Sequence, residues 1–261
     1  MTCKDNSITY LKNAGYSVVR IPKADIQPLQ ILIDEKGILK PMGDLSSILK
    51  AGQVSIPEVT KNTSMANISG TKTSDLSAGI GISILGNIIG AMGGSKLGLD
   101  LKFERARTVA FEFLNVLEDS VAIVNLDQYL ADADVNPLSR YVAELLEADE
   151  IYVTTATIKS NKFSVEAKQK NNSSVTVEIP EIQKIIGGNI QVSGNSKNTA
   201  KVTFEGKIPL VFGFQAIKLI YENGRYTSFK HLPAGKAAAA LKKSKPEFLT
   251  RQSAFINISF E

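Results

Sequence analysis

Cys3 and His231 are the sole cysteine and the sole histidine of a 261-residue chain. That scarcity bounds the chemistry at once. A zinc cluster cannot be assembled from one of each, and no intramolecular disulfide can form. A thiol–imidazole active site would need these two residues to meet, with Cys3 as nucleophile and His231 as base; it predicts a lowered thiol pKa and loss of activity in His231→Ala. The position of Cys3 suits the carriage of an attached group better. A lipoprotein cysteine requires an apolar stretch ahead of it, and only Met1 and Thr2 precede this one. S-acylation needs no such stretch, and an acyl chain contributes about 0.8 kcal/mol per buried methylene. An incidental, exposed thiol is the plain alternative.

No other chemistry is spelled out. The chain lacks GxxxxGK[ST], GxSxG and HExxH, and Gly79-Ile-Gly81 has no phosphate-cradling helix at the required spacing. The acidic residues Asp132, Asp134, Asp149 and Glu150 fall at helix ends, where they cap or solvate. A net charge of +4, with lysines spread along the chain, argues against a nucleic-acid partner and is compatible with an anionic membrane surface. A single cysteine fits a reducing compartment. No metal and no enzymatic activity are expected.

The elements around these residues divide near position 150. Before it, the pattern predicts a short helix over 7–13 closed by Gly15, a strand over 16–21 ended by Pro22, and a second strand over 28–34. Asp44 is placed to cap a short helix running to about Gly52, and 57–77 reads as loop or weak strands. Residues 76–95 carry no charge. They match the length of about 20 that spans a bilayer and place Gly86, Gly90 and Gly94 four apart. Their glycine content makes a poor helix in water, and Ile80, Ile82 and Ile84 have strand period. A buried or conditionally exposed segment is expected there. Residues 101–119 read as an amphipathic helix burying Phe103, Ala106, Ala110, Phe113, Leu114 and Leu117. Another begins at Asn136-Pro137 with Leu138, Tyr141, Val142, Leu145 and Leu146 inward.

After 150 the pattern is β. Residues 151–158 and 163–167 read as a hairpin around 159–162, with Ile151, Val153, Phe163 and Val165 among its apolar side chains. Residues 172–179 alternate. Residues 190–193 and 200–204 form the clearest hairpin: Ile190, Val192, Val202 and Phe204 on one face, Gln191, Ser193, Lys201, Thr203 and Glu205 on the other. Strands over 214–221 and 226–231 meet at Asn223-Gly224, a strong turn signal. Beyond them, 235–245 is a helix or linker with a basic end. Phe255-Ile-Asn-Ile-Ser-Phe260 is an apolar terminal strand, expected to dock.

Cys3, the opening Tyr10-Leu-Lys-Asn-Ala-Gly-Tyr-Ser-Val-Val-Arg-Ile-Pro22, the following Ala24-Asp25-Ile26-Gln-Pro28-Leu29 and the short apolar tail together resemble the bacterial gasdermins over essentially the whole chain. The resemblance implies an α+β fold: a twisted antiparallel β-sheet surrounded by helices, gasdermin N-domain-like, with a short C-terminal inhibitory peptide. It implies a palmitoyl group on Cys3 as the only attached group. It also implies release of the tail by an activating protease (caspase-like or trypsin-like). A cytoplasmic monomer would then become a homo-oligomer in inner-membrane lipid and kill the host cell as antiphage defence. The expected organisation is a pore-forming domain over 1–241, a protease-sensitive linker over 242–251 and an autoinhibitory peptide over 252–261.

Physical reasoning makes that mechanism workable. Amphipathic hairpins, with Ile80, Ile82 and Ile84 as a further candidate stretch, can turn apolar side chains to lipid and polar ones to a lumen. Strands survive in hydrocarbon only in a closed barrel, so many copies must assemble. Until then the apolar faces need cover. Phe255, Ile256, Ile258 and Phe260 are candidates, at about 1.5–3 kcal/mol each and about 6–12 kcal/mol together as an upper bound. Cutting the linker at Lys242, Lys243, Lys245, Leu249 or Arg251 would remove the intramolecular advantage of the tail. The alternative is a soluble α+β interaction domain whose sheet the tail simply completes.

Overall fold

The computed structural model describes residues 15–35, 38–66, 68, 76–171 and 173–232. Cys3, the helix expected over 7–13, the cleavage candidates in 242–251 and the tail residues Phe255 to Phe260 lie outside the described residues.

One 11-stranded antiparallel sheet organises the chain. Its strands are Ser17–Lys23 (β1), Gln30–Glu35 (β2), Ile38–Asp44 (β3), Val59–Ser64 (β4), Leu76–Ser77 (β5), Thr108–Leu114 (β6), Leu117–Val121 (β7), Ile151–Lys168 (β8), Ile190–Gly194 (β9), Lys201–Glu222 (β10) and Arg225–His231 (β11). The helices are Leu45–Ile48 (α1), Ala78–Ala91 (α2), Leu99–Lys102 (α3), Ile123–Asp132 (α4), Arg140–Glu147 (α5) and Ile179–Ile186 (α6). The architecture is the α+β arrangement expected from the sequence.

Strands β8 (18 residues) and β10 (22 residues) form the spine. They pair from Tyr152↔Lys218 to Glu166↔Lys201. At one end β8 pairs with β2 through Ile151↔Ile33; further along it pairs with β7 and then β6. A separate hydrophobic core sits at each end. The first, the body, packs Ile31, Ile33, Ile151, Val153, Ile217 and Leu219 under α4 and α5, which contribute Leu126, Tyr129, Leu130, Leu145 and Leu146. The second, the extension, packs Val109, Phe111, Phe163, Val165, Ile190, Val192, Val202 and Phe204 against Leu85, Ile88 and Ile89 of α2 and Ile182 and Ile186 of α6.

Several sequence readings are corrected. Residues 101–119 are not one helix: they hold the end of α3, a loop, β6 and most of β7. The helical spacing of Phe103, Ala106, Ala110 and Phe113 is coincidental, and the alternation Val109, Phe111, Phe113 is the period that the fold uses. Residues 151–168 are not a hairpin, because β8 runs straight through 159–162. Lys159-Ser-Asn-Lys162 has turn composition, but its polar groups serve a register shift instead. The Ser160 Oγ accepts the Lys162 N–H at 3.0 Å, and the Asn161 Nδ2 donates to the Gly206 carbonyl at 3.0 Å. Partner positions jump there from Ser160↔Leu210 to Lys162↔Glu205. Ile80, Ile82 and Ile84 stand in helix α2, not in a strand, because Leu85, Ile88 and Ile89 at helical spacing have a core to enter. Leu138 and Tyr141 are exposed; only Val142, Leu145 and Leu146 of their expected stripe are buried. Pro22 does not end β1, which runs to Lys23 across an irregularity in register.

Candidate functional site

In the extension, neighbouring strands run in the order β9, β10, β8, β6, β5, all antiparallel. Alternation makes the sheet two-faced, since successive side chains point to opposite sides. On one face the register aligns Val192, Phe204, Phe163 and Phe113 across four strands, and Val202, Val165 and Phe111 across three. The Phe163 and Phe204 rings stack with centroids 5.2 Å apart, and Phe111 tilts against Phe163 at 6.5 Å. On the other face Lys162 pairs with Glu205 at 2.9 Å and Lys201 pairs with Glu112. The Ser164 and Thr203 hydroxyls meet at 2.8 Å.

The apolar face is covered by helices drawn from the same stretches of chain. Gly81 lets α2 settle on the sheet: a Cβ there would stand 2.5 Å from the Val109 Cβ. Proline in the first turn starts α6. Gln183 then ties that helix to the edge strand. Its Nε2 donates to the Ile190 carbonyl at 2.9 Å and its Oε1 accepts the Val192 N–H at 2.9 Å. Unpaired edge groups of β9 that would invite another strand are thereby occupied.

Burial separates the two halves of β8. Residues 151–158 are buried on both faces, Thr154, Thr155 and Thr157 included, whereas in 162–168 the residues Lys162, Glu166 and Lys168 reach partial exposure between buried neighbours. Strand β10 repeats the division, two-faced over 201–205 and buried almost throughout over 210–217. The structure therefore brings together Phe163, Val165, Ile190, Val192, Val202 and Phe204. Ile82 and Ile84 pack against this cluster from α2, and Ile80 is half-buried in the same helix. Ile151 and Val153 belong to the other core. Sequence reading missed Val109 and Phe111 as members of this face, although their alternation was there to be read.

Further polar contacts lie where the extension meets the body and on the body itself. Lys159 forms an ion pair with Asp119, both side chains nearly buried, and Asp119 Oδ1 accepts the Asn62 N–H at 2.8 Å. The Tyr16 hydroxyl donates to Glu118; burial first, then that carboxylate, pushes its pKa up. On the body, Tyr226 donates to Asp127 at 2.6 Å and is raised in the same way, burial again leading. An open groove of about 710 Å³ lies on the outer side of α2, lined by Gly86, Gly90 and Gly94 with Lys23, Asp25 and Leu97. Among the described residues no three His, Cys, Asp or Glu side chains could hold a metal ion. Also among them, no helix is long and apolar enough to cross a membrane, which says nothing of strands. His231 is exposed at the end of β11, edge-on to Phe229.

Residues 19–225 match the model of the Bacterial Gasdermin Family. A protein named Gasdermin bGSDM from a Desulfuromonadales bacterium is 53% identical over 91% of this chain and 90% of its own length. A protein of the same name from Lysobacter enzymogenes is 42% identical over 91% of this chain and 88% of its own. In fold, the chain is similar to a solved bacterial gasdermin from Bradyrhizobium tropiciagri: the TM-score is 0.62, at 16% identity, over 87% of this chain and 92% of that one.

Proposed function

The chain belongs to the bacterial gasdermin family, whose members are pore-forming proteins rather than enzymes, and on that premise we propose that it is an autoinhibited pore former. Proteolytic release of the C-terminal peptide lets copies assemble. The extension sheet then exchanges its helical cover for lipid. The observation that carries this reading is the sheet with one apolar face, one ion-paired face, and a cover in which α2 and α6 are the principal helices among the described residues.

The geometry sets what the conversion must do. Strand β6 has 7 residues and β9 has 5. A tilted membrane strand needs about 9–11, so both helices must be redrawn into strand. Their sequences permit it: Ile80, Ile82 and Ile84 alternate with Gly81 and Ser83. Each copy contributes only the strands around β6, β8, β9 and β10, far too few to close around a wide lumen. No open edge survives in hydrocarbon, so closure requires a homo-oligomer.

The remaining steps follow the family resemblance. Cys3 carries a palmitoyl group, and the groove beside α2 supports the idea of a resting place for an acyl chain. Phe255, Ile256, Ile258 and Phe260 hold the latch. A caspase-like or trypsin-like protease cuts between Leu241 and Arg251, the cytoplasmic monomer inserts in the inner membrane, and the cell dies as antiphage defence.

Dye release from liposomes tests the proposal, using protein with a cleavable site engineered into 242–251. Release only after cutting supports a latched pore former. Clean cutting without release, across several lipid mixtures, returns the chain to a soluble α+β interaction domain.

A further inference from the structure

Helix α2 is built from residues that resist its own conformation. Gly79, Gly81, Gly86 and Gly90 alternate or cluster with Ile80, Ile82, Ile84, Ile88 and Ile89. Glycine and β-branched residues are poor helix formers, the first through backbone entropy and the second through restricted side-chain rotation. The N-terminal end gives no help: Ser77 makes no capping hydrogen bond and no acidic residue occupies the first turn. The C-terminal end lacks a basic residue and is closed only by a glycine turn, with Gly93 at φ 81° donating its N–H to the Gly90 carbonyl at 3.0 Å and Gly94 donating to the Ile89 carbonyl at 2.9 Å. The other cover helix is unlike it: α6 has proline and Glu181 in its first turn and Lys184 in its last. Packing against Val109, Phe111 and their neighbours is what holds α2 in shape.

Packing explains only some of the glycines. A Cβ on Gly81 would collide with Val109, and one on Gly86 would touch Lys96 at 3.6 Å. A Cβ on Gly79 or Gly90 would meet nothing within 4 Å, and both residues are exposed. Neither has a positive φ that would demand glycine. Alanine would fit at both and make a more stable helix, yet glycine stands there.

We propose that Gly79 and Gly90 set the release threshold of α2. They keep the helix dependent on its packing, so that it unwinds as soon as the cover over the sheet loosens. This rests on the reading of the extension as the pore-forming sheet. The sign of each substitution follows from propensities. Alanine favours helix strongly and strand little, so it holds the closed form; threonine gains more in strand than in helix, so it favours the open one.

The test uses the full chain carrying the engineered cut site, in four forms: wild type, Gly79→Ala, Gly90→Ala and both together. Hydrogen exchange across 78–91 is measured before cutting. Dye release after cutting is measured from phosphatidylethanolamine–phosphatidylglycerol–cardiolipin vesicles. Each alanine is expected to slow exchange by up to about fivefold, and the pair by up to about 25-fold, the ceiling set by about 1 kcal/mol per glycine in a helix interior, since both positions lie in the terminal turns. Release half-times lengthen in the same order with unchanged final release, and Gly90→Thr shortens them. Slower exchange with wild-type release times overturns the proposal, as does unchanged exchange. A disulfide between Met92→Cys and Gly206→Cys separates this from the reading beneath it, because a Cβ on Gly206 would lie 3.4 Å from the Met92 Cβ, close to disulfide geometry. If the oxidised staple stops release while the alanines change nothing, only the threshold proposal fails. If the stapled protein still releases dye at the wild-type rate, release does not require the C-terminal end of α2 to leave the sheet, and the pore reading of this segment fails as well.

Discussion

The body and the extension share two strands, yet those strands carry different physics at their two ends. In the body, β8 is buried on both sides and three threonines lie inside it. In the extension, the same strand buries Phe163 and Val165 on one face and directs Lys162 and Glu166 to the other. A segment buried on both faces has no water-facing side and cannot line a lumen. A segment with one apolar and one polar face can trade a protein cover for lipid without reversing its register. The covers differ too. Tyr129 of α4 and Leu145 and Leu146 of α5 fill the body core, and Tyr226 hydrogen-bonds back to α4 through Asp127. The extension core is phenylalanine and aliphatic residues under a glycine-rich helix. On the proposed pore reading, the two-faced region is the one that converts and the doubly buried region the one that stays folded.

The largest effect is expected from locking the cover of the extension to its own sheet. The oxidised Met92→Cys/Gly206→Cys staple should abolish dye release after cutting, and reductant should restore it. Next, matched cavities should act differently in the two regions. Phe204→Ala in the extension and Leu126→Ala in the body each empty a fully buried site and should cost about 3–5 and about 2–5 kcal/mol in denaturant unfolding. Only Phe204→Ala should leak dye with the tail still attached, since it weakens the extension cover alone.

Hydroxyl exchanges should have opposite signs in the two regions. Val202→Thr puts a hydroxyl on the buried extension face, and should cost about 1–3 kcal/mol and lower triggered release. Thr154→Val acts on a buried Oγ1 that finds no hydrogen-bond partner among the described residues, so the body should be as stable or more stable in the same assay. Alkaline pH should strain the body first. The Tyr226 pKa is raised in the fold, so its contribution is fully present below about pH 10 and is lost as pH climbs through the folded value. Tyr226→Phe should flatten that part of the unfolding profile. The smallest effect belongs to Lys162→Ala: the pair with Glu205 is part-exposed, worth about 0.2–1 kcal/mol, and should weaken further in salt.

Legibility in the sequence followed the same division. The hairpin of β9 and β10 could be read residue by residue, because strict alternation on both arms and a polar connection leave one register that buries Ile190, Val192, Val202 and Phe204. The Asn223-Gly224 turn was equally plain, and both residues adopt the positive φ that such a turn requires. The α+β class and the α5 core residues were also readable. What failed was every place where local pattern and tertiary context disagree. Lys159 to Lys162 has turn composition, yet hydrogen bonds from Ser160 and Asn161 carry the strand past it. Residues 101–119 show helical spacing, but Phe111 and Val109 find a pairing partner in β8. Ile80 to Ile84 alternate like a strand while the chain beyond them supplies helical contacts. That last ambiguity is a property of the molecule, since α2 carries both patterns at once.

The most direct test of the central claim is a scan of residues 201–205 and 151–158 with a genetically encoded environment-sensitive fluorescent amino acid, one position at a time, in cut protein on liposomes containing lipid-borne quencher. Quenching by lipid at 202 and 204 and by aqueous iodide at 201, 203 and 205, with neither pattern across 151–158, is the result expected if the extension alone turns its apolar face to the bilayer. Uniform quenching without a two-residue period, or lipid quenching that extends through 151–158, would contradict it.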